Sequence, residues 1–494
     1  MLKPLIASLC LFSGMLAFAT PVLAEEIVLK GQVTGADHHT YKEVPFDVPE
    51  GVTRITVSFA YTGRDQRTTI DLGLRDPKGF RGWSGGNKSS FTVSTSDATP
   101  SYLYGPLPAG RWTLLLGVPN IRRDSVSDYE AHVTFGHAGD ALPVSAFTDK
   151  PLKAERGWYR GDLHSHSGHS DASCPSVSGA ARVPCPVFLT LETARRNGLD
   201  FIALTDHNTT SHFAEMRALQ PYFDTLLLIP GREVTTFYGH ANLFGPTDFI
   251  DFELGGKRLP DMKTLGARVK AAHGLLSINH PGLPTGELCM GCGWNPEPAD
   301  FSGVTAIEVL NGKTTEGPLT GVAFWEARLN EGLRLTAIAG SDNHDPTDDG
   351  QKQSPLGMPA TVIEADNLSQ AALLEGIRKG RVFIDLGGPE GQRRLDLTAV
   401  SGKNLAKMGG EVAVPRGGRV SIRAGVEGAK GGTLEFILNG RRLGQPLPVT
   451  EDRAELSIDV TPDVSGPQWV RVNVRAQNGA LLMFSNPIYL VNKK

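Results

Sequence analysis

Between residues 157 and 390 short, almost continuously apolar runs alternate with stretches of helical periodicity. The runs Phe201–Thr205, Leu226–Ile229, Leu275–Ile278, Ala306–Leu310, Leu335–Ala339 and Ala360–Glu364 are short and strand-like, so they predict strands buried on both faces. Leu189–Asn197, Asp261–His273, Phe324–Glu331 and Ser369–Lys379 predict helices. Gly198, Gly274, Gly332 and Gly380 follow them, where a left-handed residue ends a helix at little cost. Repeated strand–helix units predict a parallel sheet covered by helices, and the count suits a closed barrel of about seven units.

The flanks have a different period. In residues 25–150, Ile55-Thr56-Val57-Ser58-Phe59 alternates with period two, as does Trp112–Leu116 in part, and Gly, Pro and Asp punctuate at short intervals. An N-terminal β-sandwich is expected. Its His38, His39, His132 and His137 have no ligand spacing. In residues 395–494, Val420–Ala424, Leu434–Leu438 and Trp469–Val474 alternate again, and Asn439-Gly440 is a hairpin signal. A second small sandwich is expected there.

At 494 residues the chain is long for one core. With 40% hydrophobic and 21% charged residues and a net charge of −4, nothing points to nucleic acid or a polybasic membrane contact. Lys3, the apolar stretch Leu5–Phe18 and Pro21-Val22-Leu23-Ala24 before Glu25 read as an export signal over residues 1–24. The expectation is an exported protein, periplasmic or secreted, with no membrane span after cleavage. Nothing in the sequence sets an oligomeric state. Outside the signal, Cys174, Cys185, Cys289 and Cys292 remain, an even number in an oxidising compartment. The local pairs Cys174–Cys185 and Cys289–Cys292 are the simplest of three connectivities. Half a zinc site at Cys289-x-x-Cys292 is the alternative.

The apolar runs end in potential metal ligands. Asp162, His164 and His166 share parity at the first strand end, and two imidazoles so spaced can hold one ion. Asp171 follows on the adjoining loop, with His169 competing for its role. After the next run comes Asp206-His207. His207 is the ligand candidate; Asp206 faces the other way along an extended chain and suits orientation or proton transfer. Glu233 suits a bridging carboxylate, as a two-metal site needs. His240 and His280 come from separate runs, and Asp342 and His344 share parity at the last. Arg232, Asn311 and Lys313 are candidates for holding an anionic substrate. His212 and His273 read as structural.

Gly161–Asp171, Thr205-Asp206-His207-Asn208, Gly231-x-Glu233 with Gly239-His240, Asn279-His280-Pro281 and Gly340–His344, in this order, resemble the PHP (polymerase and histidinol phosphatase) superfamily. With Tyr238-Gly239-His240-Ala241-Asn242 and flanking β modules, the chain is most similar to the branch of carbaryl hydrolase-like metallohydrolases. The resemblance covers about residues 157–390. It implies a distorted (β/α)7 barrel and two or three divalent metal ions: zinc, manganese or iron. The first ion would take His164, His166, Glu233 and Asp342; the second Glu233, His240 and His280; the third Asp171, His207 and His344. The insertion Ser173–Pro186, with its two cysteines, departs from the family pattern.

Together these readings imply an exported hydrolase that uses metal-activated hydroxide on a small-molecule ester, foremost a phosphodiester or phosphomonoester. Asp206, Glu233 and Arg232 are its expected catalytic residues. Carboxyl-ester or carbamate hydrolysis is the alternative from the same chemistry. A non-catalytic surface-binding protein is the alternative from another class.

Overall fold

The computed structural model describes residues 26–140, 146–286, 291–296, 299–388, 393–463 and 465–492. The expected export segment and Cys289 lie outside them.

Two four-stranded antiparallel sheets form first. One orders Glu26–Thr34, Val126–His137, Val52–Tyr61 and Ser90–Ser94; the other Thr40–Val48, Gly110–Asn120, Thr69–Asp76 and Gly79–Gly85. Period-two alternation builds the core between them. Ile55, Val57 and Phe59 point inward from one sheet, and Leu72, Leu74, Trp112, Leu114 and Leu116 from the other.

The central strands belong to a 15-stranded mixed sheet. It runs Thr336–Gly340, Ala306–Asn311, Leu275–Ile278, His240–Phe244, Leu227–Thr235, Phe201–Leu204, Gly157–Asp162, Ala360–Ala365 and Val382–Asp385, then passes into Leu481–Ser485. This corrects the expected (β/α)7 barrel. Strands hold 44% of the residues and helices 11%, and most ladders are antiparallel. The physical reason is local. Leu227–Thr235 returns through Thr236–Gly239 into His240–Phe244 as a hairpin, which leaves no room for a crossover helix. His240–Phe244 is antiparallel to Leu275–Ile278 too, and Ala360–Ala365 is antiparallel to both its neighbours. Phe201–Leu204 and Ala306–Asn311 pair in parallel on both sides, whereas His240–Phe244 and Ala360–Ala365 break the run of parallel ladders with antiparallel ones.

Five helices lie among the described residues: α1 (Val187–Arg196), α2 (Phe213–Leu219), α3 (Met262–Ala271), α4 (Val322–Asn330) and α5 (Gln370–Arg378). The Asp261 and Ser369 side chains cap α3 and α5, accepting from the Thr264 and Ala372 N–H groups. Gly198, Gly332 and Gly380 end α1, α4 and α5 with φ of +69°, +91° and +65°. After α3 the left-handed residue is His273, at φ +53°, rather than the expected Gly274. Helix α2 had no clear sequence signal. None of the described helices is long and apolar enough to cross a membrane.

The C-terminal strands do not stand apart. Asn404–Lys407, Arg394–Ser401, Val420–Glu427 and Arg453–Val460 form one sheet, but Thr433–Leu438, Gln468–Arg475 and Leu481–Ser485 continue the large one. Their shared core takes in Val362 and Phe383 from the central stretch. The N-terminal sheets meet the central stretch through Asp97, fully buried and paired with Arg217 on α2. Arg54 adds a bond from Nη2 to Thr247 Oγ1 at 2.7 Å.

Candidate metal centre

Glu233 lies in the strand Leu227–Thr235 and is 1% exposed. Its Oε2 lies 3.4 Å from His164 Nε2, 3.6 Å from His166 Nε2 and 2.9 Å from His207 Nδ1. Its Oε1 lies 3.3 Å from His240 Nδ1 and 3.4 Å from His280 Nε2, and accepts from Asn279 Nδ2 at 2.8 Å. One carboxylate thus faces two groups of imidazoles. Asp342 Oδ1 lies 3.2 Å from His164 Nε2 and 3.0 Å from His166 Nε2. Further out, Asp171 Oδ1 sits 3.3 Å from His344 Nε2 and 3.6 Å from His207 Nε2. All nine residues expected as ligands therefore meet in one place.

Loop ends, rather than strand interiors, carry most of these groups. His164 and His166 follow the strand Gly157–Asp162, and Asp162 turns away from them. Its carboxylate accepts the N–H groups of His164, Ser341 and Gly357, tying three loops together. Gly340 closes the last strand because a Cβ there would collide with His164. Asp342 (φ +50°) and His280 (φ +27°) hold left-handed backbone, costing roughly 1–3 kcal/mol each. Hydrogen bonds fix both: Asp342 N–H donates to His164 O at 2.8 Å, and His280 N–H to Glu308 Oε2 at 3.0 Å.

Glu308 is the residue sequence reasoning missed. It sits 1% exposed in the strand Ala306–Asn311, with Oε1 2.9 Å from His164 Nδ1. The available signal was a lone carboxylate inside an apolar run. His280 Nδ1 faces Cys292 O at 2.9 Å, and His344 Nδ1 faces Asp342 O at 2.9 Å. Such contacts orient imidazoles and leave the other ring nitrogen aimed inward.

The charges explain the titration. Burial opposes protonation of His164, but Asp342, Glu308 and Glu233 outweigh it and hold its pKa well above the usual value. Against the same burial, Glu233 lifts His280 to about 8, and Asp171 with Asp342 lifts His344 to about 9. Burial and the neighbouring His344 push His166 down to about 4. Burial would raise Glu233, yet His164, His207 and His240 hold it well below the carboxylate range. The same contest, with His344 and His207 prevailing, lowers Asp171.

The residues present fit divalent cations. Four groups have potential ligand atoms within 4.8 Å of one another: His166, Asp171, His207 and His344; His164, His166 and Glu233; Glu233, His240 and His280; and His164, His280 and Glu308. His164 Nε2 and His166 Nδ1 are buried without a hydrogen-bond partner, although the carboxylates of Glu233 and Asp342 stand 3.4 and 3.2 Å from His164 Nε2. Mixed imidazole and carboxylate donors suit zinc, manganese or iron and do not choose among them.

Three expected residues are placed elsewhere. Successive side chains on a strand point to opposite faces, so Arg232 turns away from Glu233. It donates to Ile250 O, lies over the Phe249 ring at 4.7 Å, and burial lowers its pKa to about 10. Its expected substrate-binding role is corrected on that geometry. Asp206 accepts from Ser167 N–H, Ser167 Oγ and Ser170 Oγ and faces His212, which suits orientation of the His166 loop rather than proton transfer. Lys313 donates to Gln351 O, while Asn311 reaches Glu308 and Asp342 at 3.1 and 3.2 Å. His169, the competitor of Asp171, faces Ser211 and Glu215 instead. His212 is buried against Gly231 O. Cys174 and Cys185 form a disulfide, and Cys292 is also disulfide-bonded.

No protein-family model matches the chain. No curated protein matches it in sequence. Among solved structures it is similar to a protein from Bifidobacterium adolescentis described as a candidate metal-dependent phosphoesterase. The identity is 17% and the TM-score 0.28, over 44% of this chain and 94% of that one. So shallow a likeness sets neither fold nor chemistry.

Proposed function

We propose that this chain is an exported metal-dependent hydrolase acting on a small-molecule phosphoester, a diester or a monoester. The observation that carries the reading is the Glu233 carboxylate facing two imidazole groups, one on each oxygen. The motif order supports it by resemblance to the PHP superfamily and its carbaryl hydrolase-like branch. His164, His166, Glu233 and Asp342 would hold one cation, Glu233, His240 and His280 a second, and Asp171, His207 and His344 a third. Cations there would supply Lewis acidity for substrate oxygens and a more acidic water. A phosphoryl group offers several oxygens to such a set, whereas a carbonyl offers one.

The protein's own groups do the rest. Glu308 and the backbone oxygens of Cys292 and Asp342 orient imidazoles. The floor at Glu233, His164 and His166 is buried and excludes bulk water. Asp171, 60% exposed, and His207 and His344, each 27%, form the rim by which substrate enters.

A specific observation favours carboxyl-ester or carbamate hydrolysis as the second reading. Among the described residues, the ion pairs of Glu233, Asp342 and Asp171 are with histidines and none is with an arginine or lysine. The deciding experiment combines elemental analysis with turnover of bis-(4-nitrophenyl) phosphate, 4-nitrophenyl phosphate and 1-naphthyl acetate. Two or three cations per chain with phosphoester turnover supports the proposal. Turnover of the naphthyl ester alone supports the second reading. No cation after loading with zinc, manganese and iron overturns both.

A further inference from the structure

We infer that the hairpin closed by Cys174–Cys185 positions the outer candidate ligands, Asp171 and His344, so that the disulfide sets how tightly the outermost cation is held. The inference rests on the metal-centre reading above. The hairpin consists of two three-residue strands, Ser173–Pro175 and Arg182–Pro184, too short to persist alone. A crosslink spanning 11 residues constrains the chain where so short a ladder would not hold it.

The hairpin grips both sides of the outer set. Ser173 N–H donates to His344 O at 2.9 Å, and Arg182 Nη2 donates to Asp345 Oδ2 at 2.7 Å, so one strand holds the histidine and the other its neighbour. On the Asp171 side, Cys185 N–H donates to Ala172 O at 3.0 Å and Gly168 N–H donates to Cys185 O at 2.7 Å. A Cβ on Gly168 would stand 2.7 Å from the Cys185 backbone, so the Ser167–Ala172 turn lies directly against the crosslinked strand.

Asp171 needs this support. It is 60% exposed, and its carboxylate faces imidazoles, those of His344 and His207 at 3.3 and 3.6 Å and that of His166 within 4.8 Å. The inner residues Glu233 and His240 are held instead by paired strands of the large sheet.

The test compares wild type with Cys174→Ser/Cys185→Ser, Arg182→Ala and Asp171→Asn. Each is loaded with zinc, dialysed, and assayed for zinc per chain, for affinity by chelator competition, and for β structure by circular dichroism. The double variant should keep its β structure and its inner ions while its most weakly held zinc binds roughly 10- to 100-fold less tightly or is lost. Asp171→Asn should lose the same ion. Wild-type stoichiometry and affinity in the double variant overturns the inference, as does equal loss of every ion. If the double variant does not fold, Arg182→Ala decides: selective weakening of the outer ion supports the inference, and unchanged affinity overturns it. Wild type that binds no zinc, manganese or iron overturns the underlying reading instead.

Discussion

Glu308 shows how one carboxylate can shape a site without being placed outermost in it. It engages His164 Nδ1, the His280 N–H and Asn311 at once, so it fixes a ring, a strained backbone and a rim amide together. Glu308→Gln keeps the volume but removes the charge that holds the His164 ring nitrogen. Metal affinity should fall roughly 10- to 100-fold, read by chelator competition, with circular dichroism unchanged. Wild-type affinity would show that the His280 and Asn311 contacts alone suffice. The nine candidate positions that converge here were legible because imidazole and carboxylate at the ends of apolar runs are rare and ordered. Glu308 was not: a charge inside a strand announces burial, and only the fold shows which ring it meets.

At the scale of elements, Arg232 and Glu233 make the same point about strands. Neighbours in sequence, they face opposite sides of Leu227–Thr235, and one side is the site while the other is apolar packing. Arg232 leaves Nε and Nη1 buried without a hydrogen-bond partner. Arg232→Met should therefore leave metal content unchanged and stability equal or about 1–4 kcal/mol higher, measured by urea unfolding. Lower metal content in that variant would place Arg232 back at the centre. Helix ends were legible at Gly198, Gly332 and Gly380, because caps are local chemistry, but not after α3, where His273 rather than Gly274 turns left-handed. The direction of strand pairing was not. A buried run such as Leu275–Ile278 looks the same whether its partner is parallel or antiparallel, and Thr236–Gly239 decided that by closing a hairpin instead of starting a helix.

Across the whole molecule, the N-terminal sheets are fastened by a buried charge pair. Burial would raise the Asp97 carboxyl, but Arg217 and Arg54 outweigh it and lower its pKa below the ordinary 3.8. A carboxyl lowered by folding stabilises above its unfolded pKa, and that stability is lost as pH falls through the lower folded value. Asp97→Asn should cost roughly 3–5 kcal/mol at neutral pH by stranding Arg217. The gap in melting temperature between wild type and variant should be constant above about pH 5 and should narrow below about pH 4. A gap independent of pH would assign the effect to packing. Residues 25–150 and 395–494 were legible as β-rich, but the continuity of Val382–Asp385 with Leu481–Ser485 was not, since no sequence pattern names a strand's distant partner.

That continuity has a kinetic side. Asn486 clasps the N–H and C=O of Ala337 across 149 residues of chain, and through them the strand that runs into Asp342 and His344. Contacts so remote in sequence close slowly, after local turns and helices have formed. The strand beneath the last two candidate ligands is thus clasped by a residue that leaves the ribosome after all nine candidate ligands have been made.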